Sequence, residues 1–212
     1  MSPGPALLIP PADPAAATAV AAATQVWLER AVIGLNLCPF AKAVHVKEQI
    51  RYAVTGATTA DQLLAELDHE LRHLAATMAP ELDTTLLIHP RVMEHFLDFH
   101  FFLAEADALI RNEGFTGVFQ IASLHPQYEF AGSGTDDIEN YSNRSPYPTL
   151  HLLREASIDR AVAAFPTRRR SSSATAQPCA ASAMPAGASC GWTTPPRPGR
   201  GIFPGRPHDL QR

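Results

Sequence analysis

Cysteine is scarce in this chain. Cys38, Cys179 and Cys190 are the only three in 212 residues, too few and too scattered to staple a small domain, so a disulfide scaffold is excluded. No run of 18 apolar residues is present, which leaves no segment to span a membrane as a helix. No Lys or Arg precedes Arg30, so the start lacks the basic region of an export signal and the cytoplasm is the expected compartment. Phosphate-cradling glycine loops are missing as well. Gly132-Ser133-Gly134 is not followed by the Gly, Lys and helix start of a Walker A loop, and there is no dinucleotide-binding fingerprint. A net charge of -4 gives no footprint for nucleic acid.

Apolar residues make up 46% of the chain, enough for one ordinary core. The charge, however, is split. Residues 1–166 hold 10 Lys+Arg against 20 Asp+Glu, whereas residues 167–212 hold 7 Arg against Asp209 alone. Residues 1–14 contain five prolines and read as a disordered lead-in. The tail from Thr167 carries seven prolines and few large apolar residues. Such a segment cannot offset roughly 1–2 kcal/mol of backbone entropy per residue, so 167–212 is expected to be disordered. One domain is expected over 15–166.

Within that domain, a helix is expected over 15–35, with Asn36 as a left-handed stop. A strand follows at 49–55, then a helix capped by Thr59 and Gln62 and closed by Pro80. The order continues with a strand at 84–88, a helix over about 93–112, a strand at 117–124 and a polar loop of about twenty residues. Ser145 with Pro146 reads as the start of a last helix running to about Phe165. This order predicts an α/β layered domain with a small, mostly parallel three-stranded sheet flanked by helices, with an α+β arrangement as the alternative.

The chain echoes itself once: two strands run straight into His-Pro, at His89-Pro90 and His125-Pro126. If those strands are parallel, both imidazoles leave the sheet at its carboxyl edge, where open α/β sheets bind ligands. Otherwise, His-Pro merely ends two strands. The long loop and the segment after it carry Asn143, Arg144, His151, Arg154 and Glu155. Arg144 and a helix start could hold a carboxylate or phosphate, or Asn143 and Arg144 could simply pin the loop. Cys38 is inert if it ends the first helix, and favoured as a thiolate if Pro39 opens a second one. A metal set drawn from His89, His125 and His151, with Glu155 or Asp136, lacks close spacing and is not adopted. No cofactor is indicated.

VIGLNLCPFA (32–41), TTLLIHP (84–90), GVFQIASLHPQYEFAG (117–132) and ENYSNRSPYPTLHLLREAS (139–157) resemble a bacterial family known as domain of unknown function 1415. The resemblance runs through most of residues 25–165. It implies no assigned activity, but it does mark Cys38, His89, His125, Asn143, Arg144, His151 and Arg154. Members of that family continue with a stretch close to ERN…TLRRLGHAGW, where this chain has Ser182-Ala183-Met184-Pro185-Ala186-Gly187. Back-translated with GC-rich codons, that hexapeptide spells G-H-A-G-W in a neighbouring frame. A frameshift near Pro166 to Arg168 is therefore expected.

The leading expectation is an enzyme acting on a small anionic molecule. Cys38, His89 and His125 would be the catalytic groups, and Asn143, Arg144, His151 and Arg154 would bind substrate. The rival is a non-catalytic binding or structural module, in which the His-Pro corners serve the fold. Neither nucleic acid nor membrane is an expected partner.

Overall fold

A computed structural model describes residues 6–164. The chain runs through α1 (Pro14–Trp27), a π-helical segment (Leu28–Ile33), α2 (Pro39–Val46), β1 (Ile50–Val54), α3 (Ala60–Ala76), β2 (Thr84–Ile88), α4 (Phe96–Asn112) and β3 (Phe119–Leu124). A 3-10 turn (Ile138–Ser142), β4 (Thr149–Arg154) and α5 (Glu155–Ala164) complete it. The expectations for the 167–212 tail and its reading frame lie outside the described residues.

Four strands form one mixed sheet in the order β1-β2-β4-β3. β1 and β2 are parallel, while β4 is antiparallel to both β2 and β3. The expected three-stranded, mostly parallel sheet is thus corrected to four strands with one parallel pair. β4 is the cause. It occupies part of the stretch expected to be a helix from Ser145, and helical structure begins only at Glu155. Pro148 disfavours helical backbone at Tyr147. Both faces of β4 are covered, so Leu150, Leu152 and Leu153 do not show the clean alternation of a half-exposed strand.

Because β2 and β3 both oppose β4, they run the same way although they are not neighbours. The crossovers through α3 and α4 then fall on one face of the sheet, as right-handed connections require. That face carries Ala53, Leu87, Leu150, Leu152 and Phe119, packed with Leu63, Leu67, Leu71 and Leu74 of α3 and Phe99 and Ala106 of α4. The α3 leucines recur at three- and four-residue spacing and are fully buried. Thr59 caps that helix through Gln62 N–H, and the Gln62 side chain accepts from Thr58 N–H rather than from Thr59.

The opposite face is covered by α1, the π-helical segment, α2 and α5, through clusters centred on Leu86 and Ile88, on Phe40 and Leu153, and on Leu28 and Val32. Asn36, at φ 55, turns the chain after the π-helical segment, in keeping with its left-handed preference. α2 then begins as a separate helix.

Candidate functional site

Both His-Pro corners do leave the sheet at the carboxyl edge of their strands, on the α3/α4 face. His89 and His125 are fully buried, and Phe99 of α4 lies against both rings, at centroid distances of 5.5 Å and 5.3 Å. Each ring is committed to the loop that follows β2. His89 Nδ1–H donates to Val92 O at 3.0 Å. His125 accepts Gln127 N–H at Nδ1 (3.0 Å), so its proton sits on Nε2 and is donated to Met93 O at 3.2 Å. Met93 is held at φ 58, a region that non-glycine residues rarely occupy. Burial lowers the pKa of both histidines, that of His89 to about 4, so both are neutral at pH 7. His89 Nε2 is buried without a hydrogen-bond partner among the described residues. Outside this lock lies an open hollow of about 380 Å³ lined by Thr58, Arg91, Met93, His95 and Asp98.

Asn143 and Arg144 are spent on the long loop. Asn143 Nδ2 donates to Ser123 O, and its carbonyl accepts His125 N–H. Arg144 donates to Tyr128 O (3.1 Å) and Thr135 O (2.5 Å), with its guanidinium 4.7 Å from the Tyr141 ring. Fully buried Asn140 organises the loop further. It accepts from Phe130 N–H and Ser133 Oγ and donates to Gly134 O. Asn140→Ala strands these partners and is expected to lower stability by about 2 kcal/mol, read as the shift of a urea midpoint. A shift under about 0.5 kcal/mol, the range of ordinary surface substitutions, would show that the loop is not anchored there.

Arg154 lies at the other end of β4. It donates to the carbonyls of Leu74, Thr77 and Leu82, lies 3.8 Å from Asp83, and stacks over Phe119. His151 is on β4, not on a helix beside Arg154 and Glu155. It pairs in register with Leu86 on one side and Ala122 on the other, facing α1 and α2 rather than α3 and α4. The seven marked residues therefore do not form one site. His89 and His125 belong to one face, His151 and Cys38 to the other.

On that second face, Tyr52, Leu86, His151 and Ala122 form one row across all four strands. Cys38 is the N-cap residue of α2, in extended backbone at φ -133 and ψ 113, so the chain takes the arrangement in which a thiolate is favoured by the helix dipole. Cys38 and Tyr52 pack against the same cluster of Leu28, Val32 and Ala41. Trp27, Tyr52 and Tyr147 pack against Val54, Leu86, Ile88 and Leu124. Trp27, Cys38, Tyr52, Tyr147 and His151 are partly buried, while Leu86 and Ala122 of the row are buried. Desolvation lowers the His151 pKa to about 4. Burial, helped by the charge of Glu29, raises Tyr52 to about 12. The Tyr52 hydroxyl is buried without a hydrogen-bond partner among the described residues.

The sequence profile of a family described as "Protein of unknown function (DUF1415)" matches residues 19–176. The chain belongs to the DUF1415 family. No curated protein and no solved structure matches it. The DUF1415 match spans all seven marked residues, while the family description assigns none of them a role. Sequence reasoning alone misses Tyr52, Trp27 and Tyr147 in this DUF1415 chain. The signal for Tyr52 is present in Ile50, Tyr52 and Val54, where a polar head sits among apolar residues on one strand face. Among the described residues, no group of three His, Cys, Asp or Glu could hold a metal ion, and no helix is long and apolar enough to cross a membrane.

Proposed function

We propose that this protein is an enzyme acting on a small molecule bound over the sheet face that carries Tyr52 and His151. The observation that carries this reading is the Tyr52 hydroxyl, a buried polar group without a partner among the described residues, in the same row as His151. Buried polar groups are nearly always paired, and an unpaired one calls for a reason such as binding or catalysis. At neutral pH Tyr52 keeps its proton and His151 keeps a free lone pair. Together they offer an uncharged donor and an uncharged acceptor, suited to holding a carbonyl or hydroxyl group by hydrogen bonds rather than to exchanging protons with it. Cys38, at the start of α2, is the nucleophile on this face.

The arginines support a narrower role than the sequence suggests. Arg144 and Arg154 already serve backbone carbonyls, so the reacting end of the substrate need not be anionic. We read His89 and His125 as positioning residues for the loop at 89–95, and this is where the rival reading, corners that serve the fold, has its support.

The test is a ligand screen on the full chain with small carbonyl and hydroxyl compounds, followed by thermal shift and direct titration. Tyr52→Phe and His151→Ala are each expected to weaken a true hit about tenfold or more, the cost of one hydrogen bond left unmade. Arg144→Ala should leave the affinity unchanged. If both Tyr52→Phe and His151→Ala bind every hit as the wild type does, the site lies elsewhere.

A further inference from the structure

A helix that buries one side ordinarily presents polar residues on the other. In α4 the inward residues are Phe99, Phe102, Ala106 and Ile110. Half a turn round from them, at three- and four-residue spacing, stand Leu97, Phe101, Ala104 and Ala108. No polar residue interrupts this outward line between Leu97 and Ala108. Leu97 is 66% and Phe101 71% exposed, and Ala104 is exposed beside them. Scattered apolar residues on a surface are ordinary, whereas a continuous stripe with large side chains marks a contact surface.

The stripe is ordered by size. Its large residues, Leu97 and Phe101, occupy the N-terminal half, and its small ones, Ala104 and Ala108, the C-terminal half. A second α4 laid antiparallel across a twofold axis puts Phe101 of each copy over Ala104 of the other, and Leu97 over Ala108. Large residues then meet small ones along the whole line. Charge points to the same orientation. Glu94 and Asp98 flank the start of the stripe, and Arg111 ends it. Antiparallel pairing brings Arg111 of each copy to the acidic end of the other. Parallel pairing would set Phe101 on Phe101 and the acidic residues on one another. In the antiparallel pair His100 approaches Asp107 of the second copy along one flank. Along the other flank Asp98 approaches Glu105, a like-charge contact that weakens the pair.

We propose that the outward face of α4 is a self-association surface, and that its occupant is a second copy of this chain in an antiparallel, twofold arrangement. A stripe of about three turns removes on the order of 1,000 Å² from water in total, at the lower edge of specific interfaces, so the dimer is weak, with a Kd on the order of 100 μM. α4 covers the sheet face opposite to the one carrying Tyr52 and His151, so this surface stands or falls independently of the ligand site.

Sedimentation equilibrium of the full-length chain, from about 10 μM to about 1 mM, is expected to pass from monomer to dimer with no larger species, as a closed twofold pair requires. Phe101→Asp and Ala104→Glu should each weaken dimerisation about tenfold or more while Tm stays near that of wild type, since both positions are exposed. Met78→Asp, also at an exposed apolar residue but just beyond α3, should leave dimerisation unchanged. A photoreactive phenylalanine at position 101, in a mixture of isotopically light and heavy chains, should crosslink to residues 104–108 of the other copy. A chain that stays monomeric throughout would overturn the proposal, as would a dimer that both Phe101→Asp and Ala104→Glu leave intact. Crosslinks confined to one chain would overturn it too, because the stripe would then be covered by another segment of the same molecule. Crosslinks from position 101 to position 101 would overturn the antiparallel order.

Discussion

Acidification from pH 7 to pH 4 is expected to remove several kcal/mol of stability, with much of the loss occurring before most carboxylates titrate. His89 and His151 are each held near a pKa of about 4, against an ordinary value of 6.5. Their folded forms therefore bind fewer protons than the unfolded chain between those values. Stability from these groups is complete above about pH 6.5, falls as the pH drops below it, and is exhausted near pH 4. A shift of that size corresponds to about 3 kcal/mol per residue. His125, lowered by burial as well, adds in the same direction. A small domain commonly has only about 5–15 kcal/mol in total, so the expected result is unfolding, or nearly so, by pH 4. Urea midpoints at pH 7, 6, 5 and 4 check it. In His151→Leu the part of the loss between pH 6.5 and 5 should shrink by about half. A flat profile over that interval would mean that neither imidazole is held neutral by the fold.

The His-Pro corners are legible in the sequence because two local rules agree. A strand followed by proline fixes the exit of the histidine, and right-handed crossovers send β2 and β3 the same way. What those corners do is not legible, because the partners of His89 and His125 are carbonyls of Val92 and Met93, and main-chain atoms leave no mark in a sequence. β4 is hidden for a different reason. Ser145-Pro146 imitates a helix start, and a central strand buried on both faces shows neither the period of a surface strand nor that of a helix. Placing His151 on a helix then puts it beside Glu155, when its neighbours are Leu86 and Ala122 on adjacent strands. Tyr52 escapes notice because its row partners come from separate strands, and strand order depends on long-range packing. Cys38 is half legible. Pro39 marks a helix start, but whether Asn36 ends one helix or merely bends it depends on the left-handed turn that the chain does adopt.

Arg154→Ala is expected to cost about 1–3 kcal/mol, as leaving hydrogen-bonded carbonyls without their donor does. Its guanidinium joins three parts of the chain that no secondary structure connects. It donates to Leu74 O (2.5 Å) at the end of α3, and to Thr77 O (2.6 Å) and Leu82 O (3.2 Å) in the turn that leads into β2. It also lies beside Asp83, whose carboxylate accepts from Ser157 of α5 at 2.5 Å. Alanine would leave those carbonyls without their donor and Asp83 with less compensation. Arg154→Lys should recover only part of the loss. A single ammonium on a flexible stem cannot reproduce a planar fork that serves several carbonyls and stacks on Phe119. Denaturant titration of both variants separates this role from anion binding. A substrate-holding arginine would lose affinity on replacement and leave stability nearly intact, whereas a clamp loses stability and leaves Tyr52 and His151 in place. An Arg154→Ala protein as stable as wild type would mean that the turn from α3 to β2 is held by its other contacts, and would favour the arginine as a ligand group.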